Sequence, residues 1–155
     1  MAIRSTEDKN RALEAIARAV ESQKGAILAA NEADLARSQA SGAMRDRLTL
    51  NEERVAGIAA SVREVAALPD PVGQVISKDA RPNGLSIRRV RVPLGVIAMI
   101  YEARPNVTVE ASALTLKAGN AIVLRGGSEA SQSNQALAAA IGDALEATGF
   151  PRAAV

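Results

Sequence analysis

Apolar side chains recur at helical spacing in three stretches of the first 68 residues. In residues 5–22, Leu13, Ile16, Ala17 and Val20 lie three or four positions apart, which places them on one face of a helix. The same spacing predicts two further helices, over residues 25–39 and 51–67. This part of the chain is therefore predicted to be helical.

Residues that favour helix ends and turns divide the chain further. Asn51 is a preferred N-cap residue and is expected to begin the third helix, whereas Gly42 is expected to mark the end of the second. After the Pro69-Asp70-Pro71 interruption, short strands are predicted over residues 72–76 and 85–92, separated by an Asn83-Gly84 turn. These two strands are expected to form a β-ribbon.

From residue 93 onward, strands and helices alternate. Residues 94–101 are a continuous apolar run, as expected for a strand of a parallel sheet that is buried on both faces. A helix that is preceded by Asn106 and runs to Ala118, a strand over residues 121–124 and a helix over residues 131–148 follow. This order predicts an α/β fold with part of a Rossmann-like parallel sheet. Because such sheets normally have more than two strands, we expect the sheet to be incomplete and the chain to be a piece of a longer protein.

Taken together, these elements predict a single domain over residues 1–155. Its three parts are a helical segment (1–68), a β-ribbon (72–92) and a β-α-β-α unit (93–155).

The composition restricts the chemistry available within the chain. It contains no cysteine and no histidine, which excludes disulfides, a cysteine nucleophile, a Ser-His-Asp triad and histidine or cysteine zinc sites. No metal site is predicted. No stretch has the length and apolar character of a membrane span or signal peptide, so we expect a cytoplasmic protein with no membrane partner.

Most basic residues are arginine, and this preference helps to predict which ligands the chain can bind. The net charge is only +2, and 15 of the 19 basic residues are arginine, which suits bidentate contacts with phosphate or carboxylate. Arg88, Arg89 and Arg91 cluster on the ribbon, but no aromatic side chain lies nearby in sequence for base stacking. A solvated strand face is the favoured interpretation, and no nucleic-acid partner is expected.

The loop after the second parallel strand is the first candidate site. It consists of Arg125, Gly126, Gly127, Ser128 and Glu129. Paired glycines permit close backbone approach, and the N-terminus of the following helix offers N–H groups to an anion. Ligands of open α/β sheets bind at such strand ends, so the loop predicts a nucleotide or anion site. An ordinary strand-to-helix turn is an equally good explanation, since the loop matches neither common phosphate-binding fingerprint.

The second candidate site lies at the exit of the first parallel strand. Pro105 is expected to hold Arg104 out of helical geometry, and Asn106 is expected to cap the next helix. The Asn106 amide can alternatively donate to an oxyanion during a reaction. Arg104 can bind a carboxylate or phosphate of a substrate, or pair with Glu102 or Glu110.

Two long segments carry a resemblance to a known family. They are RVPLGVIAMIYEARPNVT at residues 91–108 and LKAGNAIVLRGGSE at residues 116–129. Shorter matches are KNR at 9–11, DRL at 46–48 and DPVGQV at 70–75. The chain resembles the gamma-glutamyl phosphate reductase family of the aldehyde dehydrogenase superfamily over nearly its whole length, which corresponds to about the N-terminal third of those enzymes.

The resemblance implies the second step of proline biosynthesis. In that step NADPH reduces L-glutamyl 5-phosphate to L-glutamate 5-semialdehyde, and a cysteine forms a thioester with the acyl group. That cysteine lies in a later domain of the family, so we expect this chain to be inactive alone. Asn106 takes the position of the family's oxyanion-hole asparagine.

The resemblance also implies an NADP-binding role for the glycine-containing loop. Arg125 stands where many aldehyde dehydrogenases have a lysine near the adenosine ribose. Ser128 stands where NAD-preferring members have a glutamate, and a neutral side chain tolerates the 2′-phosphate of NADP. Gly126 and Gly127 replace a proline-containing turn, and Glu129 lies one position later than the family's glutamate. The ribbon resembles the superfamily's oligomerisation hairpin, which implies a homo-oligomer.

Two other functions remain open from the sequence. The chain can be a stand-alone nucleotide- or anion-binding module that uses the Gly126-Gly127 loop without catalysis. It can also be a non-functional product of truncation.

Overall fold

A computed structural model describes residues 4–155, so residues 1–3 of the predicted helical segment lie outside the described residues. The α-helices are α1 (Thr6–Ser22), α2 (Lys24–Arg37), α3 (Gly42–Leu48), α4 (Glu52–Ala67), α5 (Pro105–Lys117) and α6 (Ser131–Ala147). The strands are β1 (Val75–Ala80), β2 (Ser86–Val90), β3 (Val96–Ile100) and β4 (Ala121–Arg125). Two 3₁₀ turns cover Ser128–Ala130 and Arg152–Ala154. The α/β fold class predicted from the sequence is confirmed.

The core lies among the helices. The α1 helix packs against α4 and α6, and α5 packs against α4 and α6. The four α1 positions predicted to share an apolar face are all fully buried: Leu13, Ile16, Ala17 and Val20. They meet Val62 of α4 and Leu137 of α6 in one continuous apolar cluster. The helical periodicity of this region therefore reports its packing.

The ends of the helices confirm one predicted boundary and correct another. The Asn51 side chain accepts a hydrogen bond from the Arg54 N–H at 2.7 Å, as expected of an N-cap. The prediction for Gly42 is wrong, because α2 ends at Arg37 and Gly42 begins α3 after Ser41. With seven residues, of which only Leu48 is buried, α3 is too short and too exposed to show a periodic apolar face.

The ribbon is an antiparallel pair whose first strand starts later than predicted. Gly73 has a φ of +83°, and the Gln74 N–H donates to the Pro71 carbonyl, so a turn occupies the start of the predicted strand. The Asn83-Gly84 turn is confirmed, with Gly84 at a φ of +86°. The polar residues from Ser77 onward lack an alternating apolar signal, which is why β1 was placed too early.

Strands β3 and β4 form a parallel pair, joined through α5, with Val96 opposite Ala121 and Ile100 opposite Arg125. The prediction of a strand buried on both faces is wrong for this chain. Val96 is 68% exposed and Ile100 85% exposed, because alternate residues of β3 point away from the helices. One face of the pair is therefore apolar and uncovered.

A buried group of charged side chains joins α1, the α4–β1 connection and α5. Lys9 forms an ion pair with Asp70, and the Lys117 ammonium donates to Asn10 Oδ1 at 2.6 Å and to the Ala66 carbonyl at 2.7 Å. Burial lowers the pKa of Lys117, and the positive charge of Lys9 adds to this, while Asp70 opposes it. Burial acts to raise the pKa of Asp70, but its contacts with Lys9 and other donors outweigh burial and lower it. The KNR, DPVGQV and LKAGN segments, which belong to three separate matches to the resembled family, thus contact one another in this group.

Within residues 4–155, the structure has no helix with the length and hydropathy needed to cross a membrane.

Candidate functional site

The ends of the two parallel strands meet at one edge of the sheet, as the β-α-β order predicts. The Tyr101 N–H donates to the Arg125 carbonyl at 3.1 Å. A Cβ atom on Gly127 would lie 3.0 Å from the Ala103 backbone nitrogen, and one on Gly126 would lie 2.9 Å from the Tyr101 hydroxyl. A Cβ atom on Gly126 would also clash with Asn134 Nδ2 on α6. Gly127 therefore permits the close approach of the two loops, and Gly126 permits the close approach of the Tyr101 and Asn134 side chains, whatever the loop binds.

The N-terminus of α6 already holds a carboxylate of the protein. Asp34 is 1% exposed and accepts hydrogen bonds from the Gln132 N–H at 3.1 Å, the Ser133 N–H at 2.8 Å and the Ser133 hydroxyl at 2.7 Å. Burial acts to raise the pKa of Asp34, but these bonds and one from Arg37 outweigh it and lower the pKa. Two of the N–H groups that were expected to bind an external anion, those of Gln132 and Ser133, are thus satisfied by this internal carboxylate.

The five loop residues predicted to bind a cofactor do not share one cavity. Ser128 and Glu129 are exposed and line a cavity of about 510 Å³ that also contains Asp34. Gly126 lines a different cavity, of about 450 Å³. The exposed Arg125 folds back, its Nη1 donating to the Gly126 carbonyl at 2.5 Å.

Asn106 does not cap α5, which corrects the sequence analysis. The helix begins at Pro105, and Arg104 occupies the N-cap position with extended backbone angles, as expected for a residue before proline. Proline is favoured at the first helical position, so the helix starts two residues earlier than an N-cap at Asn106 suggests. The Asn106 amide is thereby released for another role, and its Nδ2 donates to Glu110 Oε1 at 3.1 Å, one turn along the helix.

Asn106 and Arg104 share one cavity of about 370 Å³ with residues 46–58. The end of α3, the turn between α3 and α4, and the first half of α4 form the opposite wall. The polar residues contributed by that wall are Asp46, Arg47, Thr49 and Arg54. None of these four was singled out as a site residue from the sequence, although the DRL match at 46–48 was a usable signal.

Arg104 is held beside the Glu102 carboxylate, one of the pairings expected from the sequence. Its Nε lies 2.8 Å from Glu102 Oε1. The Nε atom is nevertheless buried without a hydrogen bond, because its N–H is not directed at that oxygen. The contact is an ion pair with poor hydrogen-bond geometry.

The Asn31 side chain fixes the position of the α3–α4 turn. Its Nδ2 donates to the Leu48 carbonyl at 2.8 Å and to the Ser133 hydroxyl at 3.0 Å, while its Oδ1 accepts from the Leu50 N–H at 2.7 Å. Asn31 is 1% exposed. The wall of the cavity that carries Arg47 is thus anchored to α2 and α6.

No acidic cluster suited to a metal ion is found in the part of the chain that the structure describes.

Comparisons with known proteins agree with the resemblance seen in the sequence. No protein-family model matches the chain. The gamma-glutamyl phosphate reductase of Moorella thermoacetica is 59% identical over 153 residues, which cover 97% of this chain and 37% of that protein. The crystal structure of the gamma-glutamyl phosphate reductase of Thermotoga maritima matches 99% of this chain and 38% of its own, with a TM-score of 0.95 and 43% identity.

More distant structures share the fold alone. A probable aldehyde dehydrogenase from Listeria monocytogenes matches 99% of this chain with a TM-score of 0.74 at 18% identity. The chain spans about 37% of the length of the curated relatives that it matches. The predicted resemblance to these reductases, and to the aldehyde dehydrogenase fold, is confirmed.

Proposed function

We propose, from a similarity to gamma-glutamyl phosphate reductases that covers 97% of this chain, that the chain is part of an enzyme with this activity. The reaction converts L-glutamyl 5-phosphate, NADPH and a proton into L-glutamate 5-semialdehyde, phosphate and NADP⁺. That similarity is the observation that carries the proposal. The chain contains no cysteine, so a thioester-forming cysteine must be contributed by sequence outside these 155 residues.

Asn106 is proposed as the donor that stabilises the oxyanion. The amide nitrogen has two hydrogens, of which one is bonded to Glu110; the other has no acceptor among the described residues. A fixed amide donor stabilises negative charge that develops on a carbonyl oxygen, and costs little reorganisation during the reaction. Glu110 is a positioning residue in this proposal, since it orients the amide.

The loop of residues 125–129 is proposed to hold the adenosine ribose and its phosphate. The exposed guanidinium of Arg125 suits a phosphate, and the exposed Ser128 hydroxyl adds no negative charge beside it. When bound, NADPH supplies the hydride. Because Asp34 occupies the N-terminus of α6, the side chains of the loop, rather than that helix end, are the groups available to the cofactor.

The ribbon is proposed to join subunits of a homo-oligomer. Val75, Ile87 and Val90 are between 41% and 51% exposed on the ribbon, an apolar surface that a second copy can cover. We further propose a cytoplasmic enzyme that has no nucleic-acid or membrane partner.

A chimera tests the proposed activity. This chain replaces the 37% of the Moorella thermoacetica reductase that it matches, and the purified protein is assayed for NADP⁺ reduction with L-glutamate 5-semialdehyde and phosphate. We expect activity within tenfold of the unmodified reductase. A folded chimera without activity would contradict the proposal, and growth of a proline-requiring strain lacking its own reductase provides an independent readout.

Within an active chimera, Asn106→Ala is expected to lower kcat by about 10²- to 10³-fold, because one oxyanion donor is removed. The KM for NADP⁺ should be unchanged. A kcat that stays within twofold of the parent value rules out this role for Asn106.

Arg125→Glu is expected to raise the KM for NADP⁺ at least tenfold, because a carboxylate then faces phosphate. Arg18→Glu on α1, where Arg18 is exposed and pairs with Glu14, is the matched charge reversal and should leave this KM unchanged. Equal effects of the two reversals would place Arg125 away from the cofactor.

A further inference from the structure

The cavity that contains Asn106 carries both signs of charge. Arg47 and Arg104 contribute guanidinium groups, and Glu110 contributes a carboxylate. A simple aldehyde needs an apolar cavity, whereas a site with both charges suits a zwitterion. The amino-acid end of a substrate, with its α-ammonium and α-carboxylate, is a ligand of this kind.

Arg54 is not available to such a ligand. Its guanidinium donates to the Thr49 carbonyl at 2.7 Å, to Asp46 Oδ1 at 2.7 Å and to the Asp46 carbonyl. These bonds neutralise Asp46 and hold the turn between α3 and α4. Arg54 therefore fixes the backbone beside Arg47. Arg47 is the arginine of this wall whose guanidinium makes no hydrogen bond within residues 4–155.

Arg47 and Arg104 share a single carboxylate without a well-formed hydrogen bond. Arg47 Nη1 lies 3.9 Å from Glu102 Oε1, beyond hydrogen-bond distance, and its side chain is 53% exposed. The same oxygen lies beside the buried Arg104 Nε, whose N–H is not directed at it. Two guanidinium groups, each with five N–H donors, are thus arranged around a carboxylate that satisfies neither of them well.

We propose that Arg47, together with Arg104, binds the α-carboxylate of the substrate within the cavity that both arginines line. Glu110 supplies a carboxylate in the same cavity to pair with the α-ammonium. This inference rests on the proposed function and makes Arg47 a specificity-determining residue of the reductase.

The α-carboxylate is favoured over the substrate phosphate for an electrostatic reason. Glu102 lies beside both arginines and Glu110 lines the same cavity, and two carboxylates oppose the entry of a phosphate dianion. The net charge of an amino-acid head group is zero, and each of its charges finds an opposite one here.

The kinetic test uses the active chimera with Arg47→Gln. We expect the KM for L-glutamate 5-semialdehyde to rise about 10- to 100-fold, as for the loss of a charge-assisted contact. The kcat, the KM for phosphate and kcat/KM for butanal, which lacks the head group, should stay within twofold. Arg47→Lys keeps the charge without the planar fork and should give an intermediate KM.

Arg45→Gln is the matched control. Arg45 lies on the same helix, two residues from Arg47, and its Nη1 donates to the Leu35 carbonyl at 3.2 Å outside the cavity. Its removal should leave all of these parameters unchanged. An equal loss for butanal and the semialdehyde, or a rise only in the KM for phosphate, would overturn the assignment of Arg47 to the α-carboxylate.

A binding experiment separates this inference from the proposed activity. The 155-residue chain is titrated with L-norvaline, which carries the head group without phosphate or aldehyde, while its ¹⁵N NMR spectrum is recorded. Shifts at residues 47 and 104 that disappear in Arg47→Gln but persist in Arg45→Gln are expected. If the chimera is inactive, this titration alone tests whether Arg47 and Arg104 bind the head group. An absence of shifts at these two residues refutes the head-group site.

Discussion

Apolar side chains are buried in the helices of this chain and exposed on its strands. Leu13 and Ile16 of α1 are fully buried, whereas Leu94 and Ile100, at the start and end of the β3 region, are each 85% exposed. Exposed apolar residues are ordinary singly, but here they form a continuous face on the parallel strands. The helices therefore form the apolar core of the chain, whereas the parallel strands expose an apolar surface.

Charged residues follow the same division. The helical part buries Lys9, Asp34 and Lys117, each no more than 3% exposed. In the ribbon, Lys78 and Asp79 are exposed to solvent. Buried charges destabilise a fold when one partner is lost, so the largest effects of substitution are expected in the helical part.

The largest effect is expected from Asp70→Ala, which leaves Lys9 and Lys117 buried beside each other. We expect a loss of about 3–5 kcal/mol in the free energy of unfolding, as for other buried pairs that lose one partner. Urea unfolding of the chain measures it. Asp79→Ala on β1 is the matched control and should change the value by less than about 0.5 kcal/mol; equal effects at the two positions would remove the distinction between the regions.

The next largest effect on the free energy of unfolding is expected from truncating a leucine in the helical core, compared with truncating one on the strands. Leu13→Ala is expected to cost about 3 kcal/mol, because it opens a cavity in the core, whereas Leu94→Ala should cost less than about 0.5 kcal/mol. The same unfolding experiment compares them. A cost above 1 kcal/mol at Leu94 would mean that the exposed face of the strands is covered in solution.

A smaller effect is expected from acid. The pKa values of Asp34 and Asp70 are lowered in the folded protein, so the folded state binds fewer protons than the unfolded state. The stability that these two carboxylates contribute is fully present above the ordinary aspartate pKa of about 3.9. It is lost as the pH falls through their lower pKa values in the folded protein. The free energy of unfolding should therefore decrease below about pH 4.

Asp34→Asn removes one of these titrating groups. Its unfolding free energy, measured in urea between pH 3 and 7, should depend less steeply on pH than that of the parent. An unchanged dependence would indicate that folding does not shift the pKa of Asp34.

The elements predicted well from the sequence are those whose local signals agree with their packing. The apolar face of α1 and the Asn51 cap of α4 were read correctly because periodicity and capping are both local properties. The predicted start of α5 lies two residues too late, because Asn106 and Pro105 both signal a helix start and the helix begins at the proline. The prediction that both faces of β3 are buried is wrong, because an apolar run indicates that the side chains are apolar but not whether another element covers them.

The candidate site was predictable only in part, for a similar reason. The β-α-β order correctly placed the residue 101–106 loop and the residue 125–129 loop at one sheet edge. Arg47 shares a cavity with Asn106, which lies 59 positions later in the sequence, and Asp34 bonds to Ser133 across 99 positions. Contacts at these separations leave no trace in spacing or propensity. They come from tertiary packing, and only the structure could assign them.

The position of α6 in the core has a consequence for the order of folding during synthesis. The buried face of α1 is completed by α6, whose residues leave the ribosome more than a hundred positions later. Until then the apolar face of α1 is only partly covered, and the newly made chain is exposed to aggregation and available to chaperones. We expect the earliest stable intermediate to contain α1 and α4, and the N-terminal helix to resist proteolysis only after α6 has been synthesised.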